Sequence, residues 1–81
     1  MKAHVYVTLK RTVLDAQGQA VADALRRMEY QGVNDVRQGK YFLLTLDDGI
    51  EPTAARTEVE RIAREVLTNP VIEEFTFRLE T

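Results

Sequence analysis

The hydrophobic period changes along this chain, and the order of those changes restricts the fold more than any other feature. Residues 2–10 alternate, with Ala3, Val5, Val7 and Leu9 on one side and His4, Tyr6 and Thr8 on the other. Period two with β-branched residues predicts a half-buried strand. Residues 16–31 switch to helical spacing, with Val21, Ala24, Leu25 and Met28 in one stripe. Asp15 suits the N-cap and Gly32 the position just past the end. Gly18 costs a helix about 1 kcal/mol against alanine, a cost more easily borne where something approaches the backbone closely.

Period two returns in residues 33–47 as two pieces, Val33–Gln38 and Tyr41–Asp47. Gly39-Lys40 between them fits a two-residue hairpin turn, with one long bent strand and a glycine bulge as the alternative. Residues 52–68 are helical again, with Pro52 at the first position and Ala55, Val59, Ile62, Ala63 and Val66 as the buried stripe. Asn69-Pro70 stops that helix, and Phe75, Phe77 and Leu79 alternate along a last strand over 71–80. The order β-α-β-β-α-β predicts an α+β domain over residues 1–81. Its plan is ferredoxin-like (split βαβ), an antiparallel sheet with two helices on one face.

Size limits what such a domain does alone. Eighty-one residues without cysteine have no disulfide or thiolate-metal support, so self-association or docking onto a larger partner is expected. The outer sheet face would carry His4, Tyr6 and Thr8 beside Tyr41, Leu43 and Thr45. That is apolar enough for a face-to-face interface, as a homodimer or dimer of dimers.

Chemistry-bearing patterns are sparse. Eleven basic against thirteen acidic residues leave a net charge of −2, which argues against nucleic-acid binding. The longest apolar run is Phe42-Leu43-Leu44, far short of the ~20 residues of a membrane helix, and the alternating start is no secretory signal. The expected location is the cytoplasm. His4, the single histidine, has no nucleophile or carboxylate near it in sequence and reads as a sheet-surface residue. Asp47-Asp48-Gly49 reads as a turn, since a calcium or magnesium loop needs more oxygen ligands at regular spacing. No catalytic, cofactor-binding or metal residue is assigned. Arg37 and Lys40 stand out, because a turn needs Gly39 but neither charge, and a docking patch would use both.

Four stretches carry a family resemblance: Val5-Tyr6-Val7-Thr8-Leu9-Lys10, Leu14-Asp15-Ala16-Gln17-Gly18, Val36-Arg37-Gln38-Gly39-Lys40 and Asn69-Pro70-Val71-Ile72-Glu73. Their order and spacing resemble the PurS subunit family of phosphoribosylformylglycinamidine (FGAM) synthase over the whole chain. Ala16 departs from the proline many members carry there, which puts no function in doubt. The resemblance implies a small subunit with no active site of its own, in an amide-to-amidine ligase of purine synthesis. Its large subunit (PurL) would bind ATP, magnesium and the ribonucleotide, and its glutaminase (PurQ) would release ammonia from glutamine. PurS would hold those two together and support ammonia transfer. The docking candidates are Asp15, Gly18, Arg37, Gly39, Lys40, Asn69 and Pro70, and the self-association candidates are Tyr6, Thr8, Tyr41, Leu43 and Thr45. Two other classes remain for comparison. One is a regulatory module of the same fold binding a small metabolite between subunits. The other is an acylphosphatase-type enzyme, for which Lys10-Arg11-Thr12-Val13 offers an arginine but no glycine cradle.

Overall fold

A computed structural model describes residues Met1–Thr81. Strand β1 (Lys2–Leu9) lies at the centre of a three-stranded antiparallel sheet, between β2 (Gly39–Thr45) and β3 (Glu73–Glu80). Tyr6 faces Tyr41 on one side and Thr76 on the other, and Val5 faces Phe42 and Phe77. Side chains therefore sort by parity, as the alternation requires. Ala3, Val5 and Val7 are fully buried on the inner face, against Val59 and Ala63. Phe42, Leu44, Phe75, Phe77 and Leu79 pack around them.

Helix α1 (Ala16–Arg27) follows β1, and α2 (Pro52–Ile62) follows β2. The α+β plan of an antiparallel sheet with two helices is thus present, with differences from the sequence reading. Residues 33–38 form no strand; they cross to β2 as irregular backbone. Gly39 and Lys40 are then the first residues of β2 and not a hairpin turn. The bent-strand alternative fails with it. Local composition could not decide this, because a strand needs a partner and residues 33–38 have none within the chain.

The two helices also differ in how they use their apolar stripes. Only α2 and its extension supply helical residues to the core beneath the sheet; α1 supplies none. Helix α1 buries Gly18 and Ala22, while Val21 and Met28 stay exposed. The radius of gyration is 16.0 Å and the extents are 50 × 27 × 14 Å, against about 12 Å for a compact chain of this length. The expected antiparallel sheet with two helices is thus present, and of the two helices α2 supplies the core contacts.

Both helix ends depart from the predicted form. Helix α1 stops at Arg27, short of Gly32. Tyr30 N–H donates to the Leu25 carbonyl and Glu29 N–H to the Arg26 carbonyl. That is a Schellman closure with Glu29, at φ 65°, in the left-handed position usually given to glycine. Beyond Ile62, α2 widens into a π-helical turn over Ala63–Leu67. Ala55, Val59, Ala63 and Leu67 recur every four residues, and a 3.6-residue helix would rotate the last of them off the sheet. The wider turn keeps Leu67 against the core and turns Val66 out to 74% exposure. The predicted burial of Val66 is thereby corrected.

Candidate docking surfaces

The seven docking candidates come from three separate segments, and the fold brings them to one end of the sheet. Asp15 caps α1 as its sequence position predicts. One carboxylate oxygen accepts from Gly18 N–H at 2.9 Å. The other accepts from Gln38 N–H at 2.7 Å, which ties the segment before β2 to the start of α1. These two N–H groups, Gln38 first, hold the Asp15 carboxyl below the usual carboxylate range, with Arg37 adding a favourable charge. Gly18 is required by this crossing. A β-carbon there would lie 2.5 Å from the Val36 carbonyl oxygen and 2.3 Å from Asp15 Oδ2.

Arg37 and Lys40 have work inside the chain that the sequence did not disclose. Arg37 Nη2 lies 3.1–3.3 Å from the carbonyl oxygens of Leu9, Lys10 and Val13. It closes the backbone acceptors left where β1 ends. Lys40 Nζ pairs with Glu73 Oε2 at 3.2 Å. The other Glu73 oxygen accepts from Asn69 N–H at 2.8 Å. That N–H, ahead of Lys40, holds the Glu73 carboxyl below its usual range. Asn69 in turn accepts from Val71 N–H through its side chain, and from Ile72 and Glu73 N–H through its carbonyl. Asn69-Pro70 is therefore a turn that fixes the start of β3.

Gly18, Asp15, Gln38, Lys40, Glu73 and Asn69 form one polar stitch across three segments. Gln38 and Glu73 were not singled out from the sequence. Glu73 gave a signal in its spacing of four from Asn69; the role of Gln38 depends on a contact 23 residues distant. A shallow cleft of about 240 Å³ opens beside the stitch, lined by Thr8, Asp15, Gln17, Gln38, Lys40 and Glu73. Asp47-Asp48-Gly49 is a turn, closed by Ile50 N–H donating to the Asp47 carbonyl. Beside its exposed polar groups, among them Lys40 and Gln17, this end of the molecule also exposes apolar side chains. Leu14 is 78% exposed and Val71 77%.

The outer sheet face is the second surface. The Tyr6 and Tyr41 rings stack with centroids 5.4 Å apart, and His4 stacks on Tyr41 at 5.8 Å. His4 bridges both edge strands: Nδ1 lies 2.5 Å from the Tyr41 hydroxyl and Nε2 3.3 Å from Glu80 Oε1. Tyr6, Tyr41 and Leu43 remain exposed. The predicted face is formed as the register requires, and Gly39 closes its end because a β-carbon would strike the Val7 carbonyl at 2.4 Å.

Comparison with known proteins places this arrangement. A family model described as PurS, phosphoribosylformylglycinamidine (FGAM) synthase, matches residues 2–81. The chain belongs to the PurS family. Among PurS proteins, the phosphoribosylformylglycinamidine synthase subunit PurS of Mycobacterium leprae is 44% identical over 80 residues, which cover 99% of this chain and 96% of that protein. The structure of Bacillus subtilis PurS matches with a TM-score of 0.80 and 41% identity, over 99% of this chain and 98% of that one. A chain in the structure of PurLQS from Thermotoga maritima matches with a TM-score of 0.85 and 28% identity, over 95% and 93% of the two chains. The PurS-like parts of this sequence include the polar stitch itself. Among the 81 residues, no helix is long and apolar enough to cross a membrane.

Proposed function

We propose that residues 1–81 act as a single PurS-like domain, the small non-catalytic subunit of FGAM synthase in the cytoplasm. The observation that carries the reading is the match over almost the whole chain to a component of a PurLQS structure. In the assembled enzyme the formylglycinamide ribonucleotide amide becomes an amidine. ATP and magnesium act on the large subunit, and the glutaminase subunit supplies ammonia. A cysteine-free chain has no thiolate for the glutaminase half. Its contribution is to hold two active sites together, so that ammonia reaches the activated amide without protonation in bulk water.

The geometry supports a revised view of how docking is done. Arg37 and Lys40 are already partnered inside the chain, so the stitch serves as a rigid mount. Leu14 and Val71 are the groups free to enter a partner's apolar pocket. The unpartnered stripe of α1 and the extended shape support a working unit that is a homo-oligomer.

The test is reconstitution with the synthetase and glutaminase subunits, ATP, magnesium and the ribonucleotide, with glutamine or an ammonium salt as nitrogen source. The chain should be required with glutamine and nearly dispensable with ammonium. Leu14→Asp with Val71→Asp should lower the glutamine-dependent rate while leaving the circular dichroism of the isolated chain unchanged. If the chain alters neither reaction, the subunit reading fails and ligand-dependent stabilisation by small metabolites becomes the measurement to make.

A further inference from the structure

We propose that Asp48 is a site of spontaneous backbone rearrangement, passing from an aspartyl to an isoaspartyl linkage through a cyclic imide closed by the Gly49 nitrogen. The step needs a free side-chain carboxyl and a following N–H that no acceptor holds. It also needs room for that nitrogen to swing onto the carboxyl carbon. The turn between β2 and α2 supplies all of these. Asp48 takes part in no ion pair. Gly49 lies outside every helix and strand, and its N–H donates to no carbonyl. A β-carbon at Gly49 would meet nothing within 4 Å, so no neighbouring segment walls the nitrogen in. Glycine also leaves its own nitrogen unshielded and its φ free to turn. The bond across the turn, from Ile50 N–H to the Asp47 carbonyl, is 3.2 Å long, at the weak end of the ordinary range.

The other candidate positions each lack one of these conditions. Asp15 is buried, with both oxygens held by N–H groups. Asp23 sits inside α1, where the next N–H belongs to the helix ladder, and it pairs with Arg26 at 2.7 Å. Asp35 and Asp47 are exposed but are followed by Val36 and Asp48, whose side chains crowd the attacking nitrogen. Asn34 is crowded by Asp35 in the same way. Asn69 precedes Pro70, which has no N–H to close a ring.

The chemistry balances without a cofactor. With the Asp48 carboxyl protonated, Gly49 N bonds to Cγ and a Cγ–O bond breaks. The hydroxyl leaves as water with the amide proton. Water then adds to either ring carbonyl. Opening at the Cγ carbonyl restores aspartate. Opening at the main-chain carbonyl of Asp48 leaves the backbone running through Cβ and Cγ, with a free α-carboxylate. The main chain gains a methylene, while composition and formal charge are unchanged. The fold accommodates this. Leu46 N–H stays bonded to the Met1 carbonyl on one side, Pro52 starts α2 on the other, and residues 47–49 between them are exposed. The altered chain therefore stays folded and accumulates, as a substrate for an enzyme that methylates isoaspartyl carboxylates from S-adenosylmethionine.

The test holds the full chain for weeks at neutral pH and physiological temperature, then digests it with trypsin. Peptide 41–56 contains Asp47 and Asp48 but no other aspartate or asparagine. It should yield a growing second chromatographic peak of identical mass. Electron-transfer fragmentation should assign that peak to residue 48, and isoaspartyl methyltransferase with labelled S-adenosylmethionine should label it alone. Asp48→Glu, which would need a larger ring, and Gly49→Val, which shields the nitrogen, should both lose the peak. A synthetic peptide of residues 41–56 gives the rate without the fold. The folded chain should match it within about tenfold, since an exposed turn opens at little cost. Absence of the second peak, conversion at residue 47 or in another tryptic peptide ahead of residue 48, or a peak persisting in either variant would each overturn the proposal. So would a rate in the fold more than about tenfold below that of the peptide.

Discussion

Gly18→Ala should destabilise this protein although alanine is the better helix former. In an open helix the exchange would gain about 1 kcal/mol. Here the added methyl sits 2.5 Å from a backbone carbonyl, about 0.9 Å inside ordinary van der Waals contact, and still closer to the Asp15 carboxylate. Neither obstacle yields easily, because Asp15 is tied at both oxygens and Val36 is anchored through Gln38 and Arg37. Overpacking of this kind costs about 1–3 kcal/mol, and two obstacles that cannot yield put it in the upper half of that range, leaving a net loss of about 1–2 kcal/mol. For a chain of this size that lowers Tm by roughly 5–10 °C. The control is Gly49→Ala, where a β-carbon meets nothing within 4 Å and stability should hold or rise by up to about 1 kcal/mol. Thermal unfolding at one fixed protein concentration gives both values, since association raises Tm by mass action. A Gly18→Ala variant as stable as wild type would mean that residues 36–38 do not cross the start of α1.

Other expectations follow from the same contacts. Asp15 and Glu73 are both held below their ordinary range, so their stabilisation is complete above the unfolded carboxylate range near pH ~4. It is lost as pH falls through their lower native values. In Asp15→Asn the amide oxygen still accepts one N–H but not both, so its Tm deficit should shrink as wild type is acidified. Leu67→Ala should cost about 1–3 kcal/mol and Val66→Ala less than about 0.5 in urea unfolding, the reverse of what an uninterrupted α-helix implies. Glu29→Gly should stabilise by up to about 1 kcal/mol, because φ 65° suits glycine. Arg37→Glu with Lys40→Glu should lower Tm of the isolated chain as well as weaken assembly, since both charges are used inside it.

Much of the fold was legible because it is written in short periods. Strands β1 and β3 and the start of α2 at Pro52 follow from alternation and one residue's fixed φ, and all stand in the structure. Asp15 as an N-cap follows from local chemistry in the same way. The outer face of His4, Tyr6, Tyr41 and Leu43 needed only parity, which pleating imposes on any strand. Family membership needed only the order of four short stretches. Tertiary structure decided what depends on distant partners. It left residues 33–38 without a strand to pair with, and it moved Gly39 and Lys40 from a turn into β2. It also gave Arg37 three carbonyls from the end of β1, so a charge that looked free has a structural role. The π turn at Ala63–Leu67 arose because Leu67, four residues past Ala63, had to stay over a sheet whose position no helical period encodes. Local sequence fixes how each segment bends and which side is apolar, whereas the partner of each polar group depends on which segments the completed sheet brings to the same end.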